Sequence, residues 1–323
     1  MRCIVALLPL ALCAADRLSV PLGLDHYVPA PADNPLRREV VELGRRLFFD
    51  KGLSRDSTVA CATCHDPTRA FTDNKPIAIG IRGQLAGRRS PPILNRAWGK
   101  SFFWDGRAST LEQQVLEPIA NPKEMDLPID ALVERLAADS IYRQRFQEVF
   151  RSAPSATNLA RALGGYVRTI LSGASPYDHF VAGRRDALTA EQQIGLRLFR
   201  GKANCASCHV GPNLTDEDFH NTGTAWRDGA WSDPGRVVIS NHEAHRGAFK
   251  TPSLREVVRV APYMHDGSIG TLEEVIEFYD KGGRENPLLD PEIRPLRLTA
   301  EERRALLAFL EALSGTVQEG WPQ

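Results

Sequence analysis

One pentapeptide pattern constrains this chain more than any other feature: Cys61-Ala62-Thr63-Cys64-His65 occurs again as Cys205-Ala206-Ser207-Cys208-His209. C-x-x-C-H is the attachment signature of c-type haem. The two thiols add across the porphyrin vinyl groups, and the adjacent histidine falls under the iron as its proximal ligand. A redox dithiol, or two halves of a Cys₄ zinc site, would use the cysteines without needing a histidine after the second one. The histidine follows both times, so two covalent haem c groups are expected, with His65 and His209 as proximal ligands.

The remaining cysteines point to export. Of six, Cys3 and Cys13 lie in an opening stretch with a basic start at Arg2 and an apolar run to Ala15. Cys13 and Ala15 are small enough to precede a signal-peptidase cut, so residues 1–15 read as a signal peptide cleaved before Asp16. An apolar run of about 13 residues is too short to span a bilayer as a mature helix. The mature chain then keeps cysteines only in the two motifs, which leaves none for a structural disulfide. A periplasmic location follows, because bacterial c-type haem is attached outside the cytoplasm. The 40 basic and 40 acidic residues balance, so no nucleic-acid or polybasic membrane partner is indicated.

The rest of the chain repeats itself around the motifs. Asn34-Pro35 reads as an N-cap and first helical residue, followed by Val40, Leu43, Leu47 and Phe48 at helical spacing. Before the second motif, Thr189 to Gln192 forms a capping box ahead of Ile194, Leu198 and Phe199. Leu43-Gly44-Arg45-Arg46-Leu47-Phe48 matches Ile194-Gly195-Leu196-Arg197-Leu198-Phe199; Ser90-Pro91-Pro92-Ile93-Leu94 matches Thr251-Pro252-Ser253-Leu254. Phe102-Phe103-Trp104-Asp105-Gly106 matches Tyr263-Met264-His265-Asp266-Gly267, and Thr110-Leu111-Glu112 matches Thr271-Leu272-Glu273. Ile129 to Phe150 and Leu159 to Leu171 are predicted amphipathic helices, with Gly164-Gly165 as a close-packing point. Thr299 opens a last helix, and Val237-Val238-Ile239 is the best strand candidate. The fold expected is mainly α: two cytochrome c-like haem domains related by internal duplication, residues 16–182 and 183–323, with long loops.

Taken together, C-x-x-C-H, Phe-Trp-Asp-Gly-Arg, Asn-Pro-Lys-Glu-Met, the second C-x-x-C-H and Ala-Pro-Tyr-Met-His-Asp-Gly resemble the bacterial di-haem cytochrome c peroxidase family, including its methylamine-utilisation branch (MauG). The resemblance covers roughly Asn34 to Gly315. It implies that hydrogen peroxide is reduced at the N-terminal haem, beneath Glu124 of the Asn121–Met125 motif and with help from Gln114. A carboxylate there moves a proton between the peroxide oxygens before the O–O bond breaks, an effect worth ~10²–10⁴ in rate. Trp104 would conduct electrons between the haems. Electrons would come from a small periplasmic donor, a c-type cytochrome or a cupredoxin; in the MauG branch a protein side chain is oxidised instead. A carrier with both irons six-coordinate is the non-enzymatic reading. By residue type alone, Glu124 also suits a solvated loop, Gln114 a helix surface, and Trp104 a core position.

Four further positions bear on the family pattern. Where peroxidases fed by small cytochromes carry a methionine ligand to the second iron, this chain has Tyr279, as the MauG branch does; Met264 is the rival ligand, and a core tyrosine the bland alternative. Ile81 stands where many members carry a displaceable histidine, so the first iron is expected to be open without prior reduction. Ala203 replaces the tryptophan through which MauG reaches its protein substrate. The family's calcium ion would need an asparagine where this chain has Arg89, beside the carbonyls of Val260 and Pro262, and arginine cannot ligate calcium. His26, His179, His220, His242 and His245 have no assigned task, the last two reading as surface residues.

Overall fold

The computed structural model describes residues 18–321, so the expected signal peptide and its two cysteines lie outside the described residues. Two crossing helix pairs organise the fold. In the first, Arg38–Phe49 buries Val40, Val41, Leu43, Leu47 and Phe48 against Ala156–Val167. In the second, Ala190–Arg200 packs on Ala300–Glu311 through Leu196, Phe199, Leu306 and Phe309.

A glycine sets each crossing. A Cβ on Gly44 would stand 1.9 Å from the Ala162 carbonyl oxygen, and one on Gly195 would stand 1.9 Å from that of Ala305. In both pairs the next residue met is four positions further along the partner helix, through its Cβ: Tyr166 and Phe309 respectively. Gly164-Gly165 plays a smaller part, since a Cβ on Gly165 would meet only the Val40 side chain, at 3.0 Å.

The repeated segments also take matching shapes. Each motif forms a single turn, Cys61–Cys64 and Cys205–Ser207. Thr72 donates its hydroxyl to the Ser90 carbonyl at 2.8 Å, and Thr215 does the same to Thr251 at 2.7 Å. An isolated bridge closes each aromatic loop, Phe102 with Ala108 and Tyr263 with Ile269. Phe103 and Met264, at the same place in those loops, are both left-handed. The helix starts predicted at Thr189 and Thr299 form with side-chain caps, and the matched Thr110 and Thr271 cap helices as well. The buried apolar residues of both segments join in one cluster, from Val41 to Leu313.

Four local expectations are overturned. Asn34 does not cap a helix: its buried amide donates to Glu112 and to the Arg161 carbonyl, and the helix starts at Arg38 without a side-chain cap. Ile129 to Phe150 is two helices, broken where the Asp139 carboxylate accepts from the amides of Ile141 and Tyr142 and so starts a second one. The helix expected to reach Leu171 stops at Val167, and Leu171–Gly173 pairs antiparallel with Thr316–Gln318. Val237–Ser240 is a helical turn, not a strand. Its β-branched residues follow the tight turn at Gly235 and have no neighbouring strand, so Val238 and Ile239 stay exposed. Strands are confined to three two-stranded ladders among the described residues, and the fold is mainly helical. No described helix is long and apolar enough to cross a membrane.

Candidate active site

The turn at Cys61–Cys64 opens onto a cavity of about 400 Å³. Its walls bring together Cys61, Cys64, His65, Trp104, Gln114 and Glu124, with Phe103, Met125, Leu163 and Val167 as apolar lining. His65 Nδ1 lies 3.0 Å from the Phe71 carbonyl oxygen. A carbonyl only accepts, so Nδ1 carries the proton and Nε2 keeps its lone pair for a ligand. Burial pushes the His65 imidazole below its ordinary range, which keeps it neutral and able to bind a metal. The second motif repeats this: His209 Nδ1 is 3.0 Å from the Leu214 carbonyl, and burial lowers its imidazole likewise.

The sulfurs argue against a redox dithiol. Burial pushes the thiols of Cys61, Cys64 and Cys205 up to about 12, whereas reactive cysteines have depressed values. Spaced thiols, a histidine presenting Nε2, an apolar cleft and nearby guanidinium groups fit c-type haem attachment.

Glu124 is half-buried and accepts from Asn121 Nδ2 at 2.7 Å. Burial raises its carboxyl above the usual glutamate range, with the Asn121 bond and the Arg107 charge acting the other way. A second loop holds it in place. The Ile81 amide donates to the Glu124 carbonyl at 2.8 Å. A Cβ on Gly80 would stand 2.1 Å from the Lys123 carbonyl and 2.6 Å from Glu124 Cα, so only glycine lets the loops lie this close. Ile81 itself is fully buried. Gln114 ends the short helix capped by Thr110.

Trp104 is tied at both ends. Its indole N–H donates to the Arg89 carbonyl at 2.9 Å, and its own carbonyl accepts from the Lys250 amide at 2.9 Å. A matching bond runs the other way, from the Arg89 amide to the His265 carbonyl at 2.8 Å. Arg89 and Lys250 are the residues before Ser90-Pro91 and Thr251-Pro252, so the two aromatic loops are tied to each other's half by equivalent backbone bonds.

At the second motif, Tyr279 sits on Leu272–Asp280, a helix opened by the Thr271/Glu274 capping box. Burial first, then electrostatic repulsion from Cys205, push its phenol up to about 12, with a Thr222 hydrogen bond opposing. Met264 packs half-buried against the apolar core.

Two features escaped the sequence. His220 bridges Asp290 at 2.6 Å and Asp216 at 3.0 Å, close to Cys208. The Cys208 sulfur first, then the carboxylates, push it up to about 10. Asp290 stands 70 residues from His220, so no short motif links that pair. His265 is buried and stacks on Phe249, ring centroids 3.7 Å apart; its place opposite Trp104 in the repeat was the available signal. His242 and His245 lie 5.2 Å apart on a partly exposed segment, as expected of surface residues. The residues aligned with the family's calcium ion do not fit one, since the Arg89 guanidinium donates to the Val260 carbonyl.

A family model described as di-haem cytochrome c peroxidase matches residues 38–186. The methylamine utilization protein MauG of Methylorubrum extorquens is 44% identical over 290 residues, covering 88% of this chain and 81% of that protein. The cytochrome-c peroxidase IdrP2 of Denitromonas iodatirespirans is 34% identical over 304 residues, covering 86% of this chain and 82% of its own. Among solved structures, a MauG-like protein associated with microbial copper homeostasis has a TM-score of 0.83 at 35% identity, covering 93% of this chain and 94% of that one. With likeness of this degree running through both motifs, the chain belongs to the bacterial di-haem cytochrome c peroxidase and MauG family and is a peroxidase-type oxidoreductase.

Proposed function

We propose that haem c is attached at Cys61 and Cys64 and again at Cys205 and Cys208, with His65 and His209 as proximal ligands, in two units (16–182 and 183–323) related by duplication. The first haem is the peroxide site, and the second passes electrons to it by way of Trp104. The observation that carries this reading is the convergence of Cys61, Cys64, His65, Gln114, Glu124 and Trp104 on one cavity. Matching glycine crossings and matching Thr-to-carbonyl bonds support the duplication.

When bound, the first haem supplies iron with one open position for peroxide and accepts electrons from the second. The chain's own residues manage protons. The Glu124 carboxylate takes a proton from the inner peroxide oxygen and returns it to the outer one, so that the leaving oxygen departs as water. Asn121 fixes the carboxylate by its amide bond, and the Gln114 amide orients the peroxide. Two electrons and two protons turn each hydrogen peroxide into two waters. Buried Ile81 stands where a ligating histidine would be and offers no donor atom, so it would not compete with peroxide for the first haem when that group is bound.

Tyr279, standing where the MauG branch carries a tyrosine, favours a second reading, a MauG-like oxidase that uses peroxide to oxidise a protein side chain. A phenolate ligand stabilises oxidised iron, whereas methionine raises the potential. Buried Ala203 departs from that branch's known route to its substrate. Turnover with a reduced small c-type cytochrome decides. Steady peroxide reduction by the wild type supports the peroxidase; turnover that appears only in Tyr279→Met supports the oxidase. A ferric EPR spectrum with both irons low-spin and indifferent to stoichiometric peroxide would leave only an electron carrier. Export to the periplasm completes the proposal.

A further inference from the structure

We infer that the Arg89 guanidinium is a built-in cation at the junction of the two haem units, cross-linking them through the Val260 carbonyl while the residue's own backbone carbonyl positions Trp104, so that this protein uses no calcium there. The inference rests on the two-haem reading above.

Arg89 is 4% exposed, yet three of its groups reach the junction. The amide donates to the His265 carbonyl at 2.8 Å, the carbonyl accepts from the Trp104 indole at 2.9 Å, and the guanidinium donates to the Val260 carbonyl. One residue thus holds the conducting indole, the matching loop of the other half, and the turn leading into that loop. A bound divalent ion would do the last of these by gathering carbonyl oxygens, but calcium requires six to eight oxygen ligands. Here the Val260 oxygen is already engaged by a donor, and a positive group stands where the ion would sit.

The charge is retained at neutral pH. Burial pulls the guanidinium down to about 10, with attraction from Asp73 opposing. Asp73 is itself buried, with Oδ2 lacking a partner, and Arg89 Nε also lacks one. The equivalent residue, Lys250, differs: its amine lies 3.5 Å from Glu217, whereas no carboxylate among the described residues forms an ion pair with Arg89. Arg89 therefore leaves a less neutralised positive charge at the junction, next to Trp104, where it favours the reduced state of nearby centres.

The test uses the haem-loaded protein. After dialysis against EDTA, the wild type is expected to retain no stoichiometric calcium, and the EPR spectra of both haems are expected not to change when calcium is added back. Arg89→Met is expected to shift the midpoint potential of at least one haem downward, and Arg89→Lys to restore most of that shift. One calcium per chain, with spectra that change on chelation and recover with calcium, would overturn the inference. So would unaltered potentials in Arg89→Met. Should that variant fail to fold, the wild-type chelation result still decides. A pyridine haemochrome count of zero would fail the two-haem reading separately, and the calcium measurement would stand by itself.

Discussion

A carboxyl group that shuttles a proton must be able to hold it briefly, and Glu124 is placed for that. Burial lifts its affinity for the proton while Asn121 and Arg107 keep it from staying neutral. Glu124→Gln should slow the reaction with peroxide by at least about tenfold, read by stopped-flow absorbance. Because the base must be ionised, the acid limb of the pH–rate profile should lie above the ordinary glutamate range. Asn121→Ala, which removes a bond that lowers the value, should move that limb higher still; a limb that stays put would detach Asn121 from the mechanism. Glu217 works in the opposite sense. Burial alone would raise it, but the Arg96 fork at 2.6 and 3.0 Å outweighs burial and holds it at about 2. Its contribution to stability is therefore full above the unfolded glutamate value and lost as pH falls toward about 2. Glu217→Gln leaves a buried guanidinium uncompensated and should cost about 3 kcal/mol at neutral pH by chemical denaturation. Glu124 was legible because it sits in a compact motif. The Arg96–Glu217 and His220–Asp290 pairs were not, because chain spacing carries no trace of contacts between distant residues.

At the level of helices, the repeat seen in the letters has a steric cause. Gly44 and Gly195 are the positions at which the two helix pairs bring one helix backbone directly against another. Gly44→Ala and Gly195→Ala should each destabilise by about 1–3 kcal/mol or more, because the clash is with main-chain oxygen and cannot be relieved by a rotamer change. Thermal melts of the two variants should fall together. Capping boxes were readable because they pair a hydroxyl with an acid or amide three residues on. Asn34 is misleading, and the break at Asp139 is hidden, for the converse reason. A residue type that caps a helix serves equally well as a tertiary donor or as the break between two helices, and the apolar period through Ile129 to Phe150 hides that break.

For the whole molecule, the expectation of two haem-bearing units makes a stoichiometric prediction. Cys61→Ala combined with Cys64→Ala should leave one haem per chain by pyridine haemochrome. The survivor should keep the signature of the second site and ignore peroxide. The mainly helical fold and the paired motifs could be read from the chain, but the manner in which the two segments engage could not, because it is made by peptide groups that every residue has. The Arg89 amide reaches the His265 carbonyl, and the Lys250 amide reaches that of Trp104. Two such ties, running in opposite directions, work like a pair of crossed struts. Side chains at these positions can be exchanged to retune charge or conduction, while the spacing across which an electron must pass is left as it was.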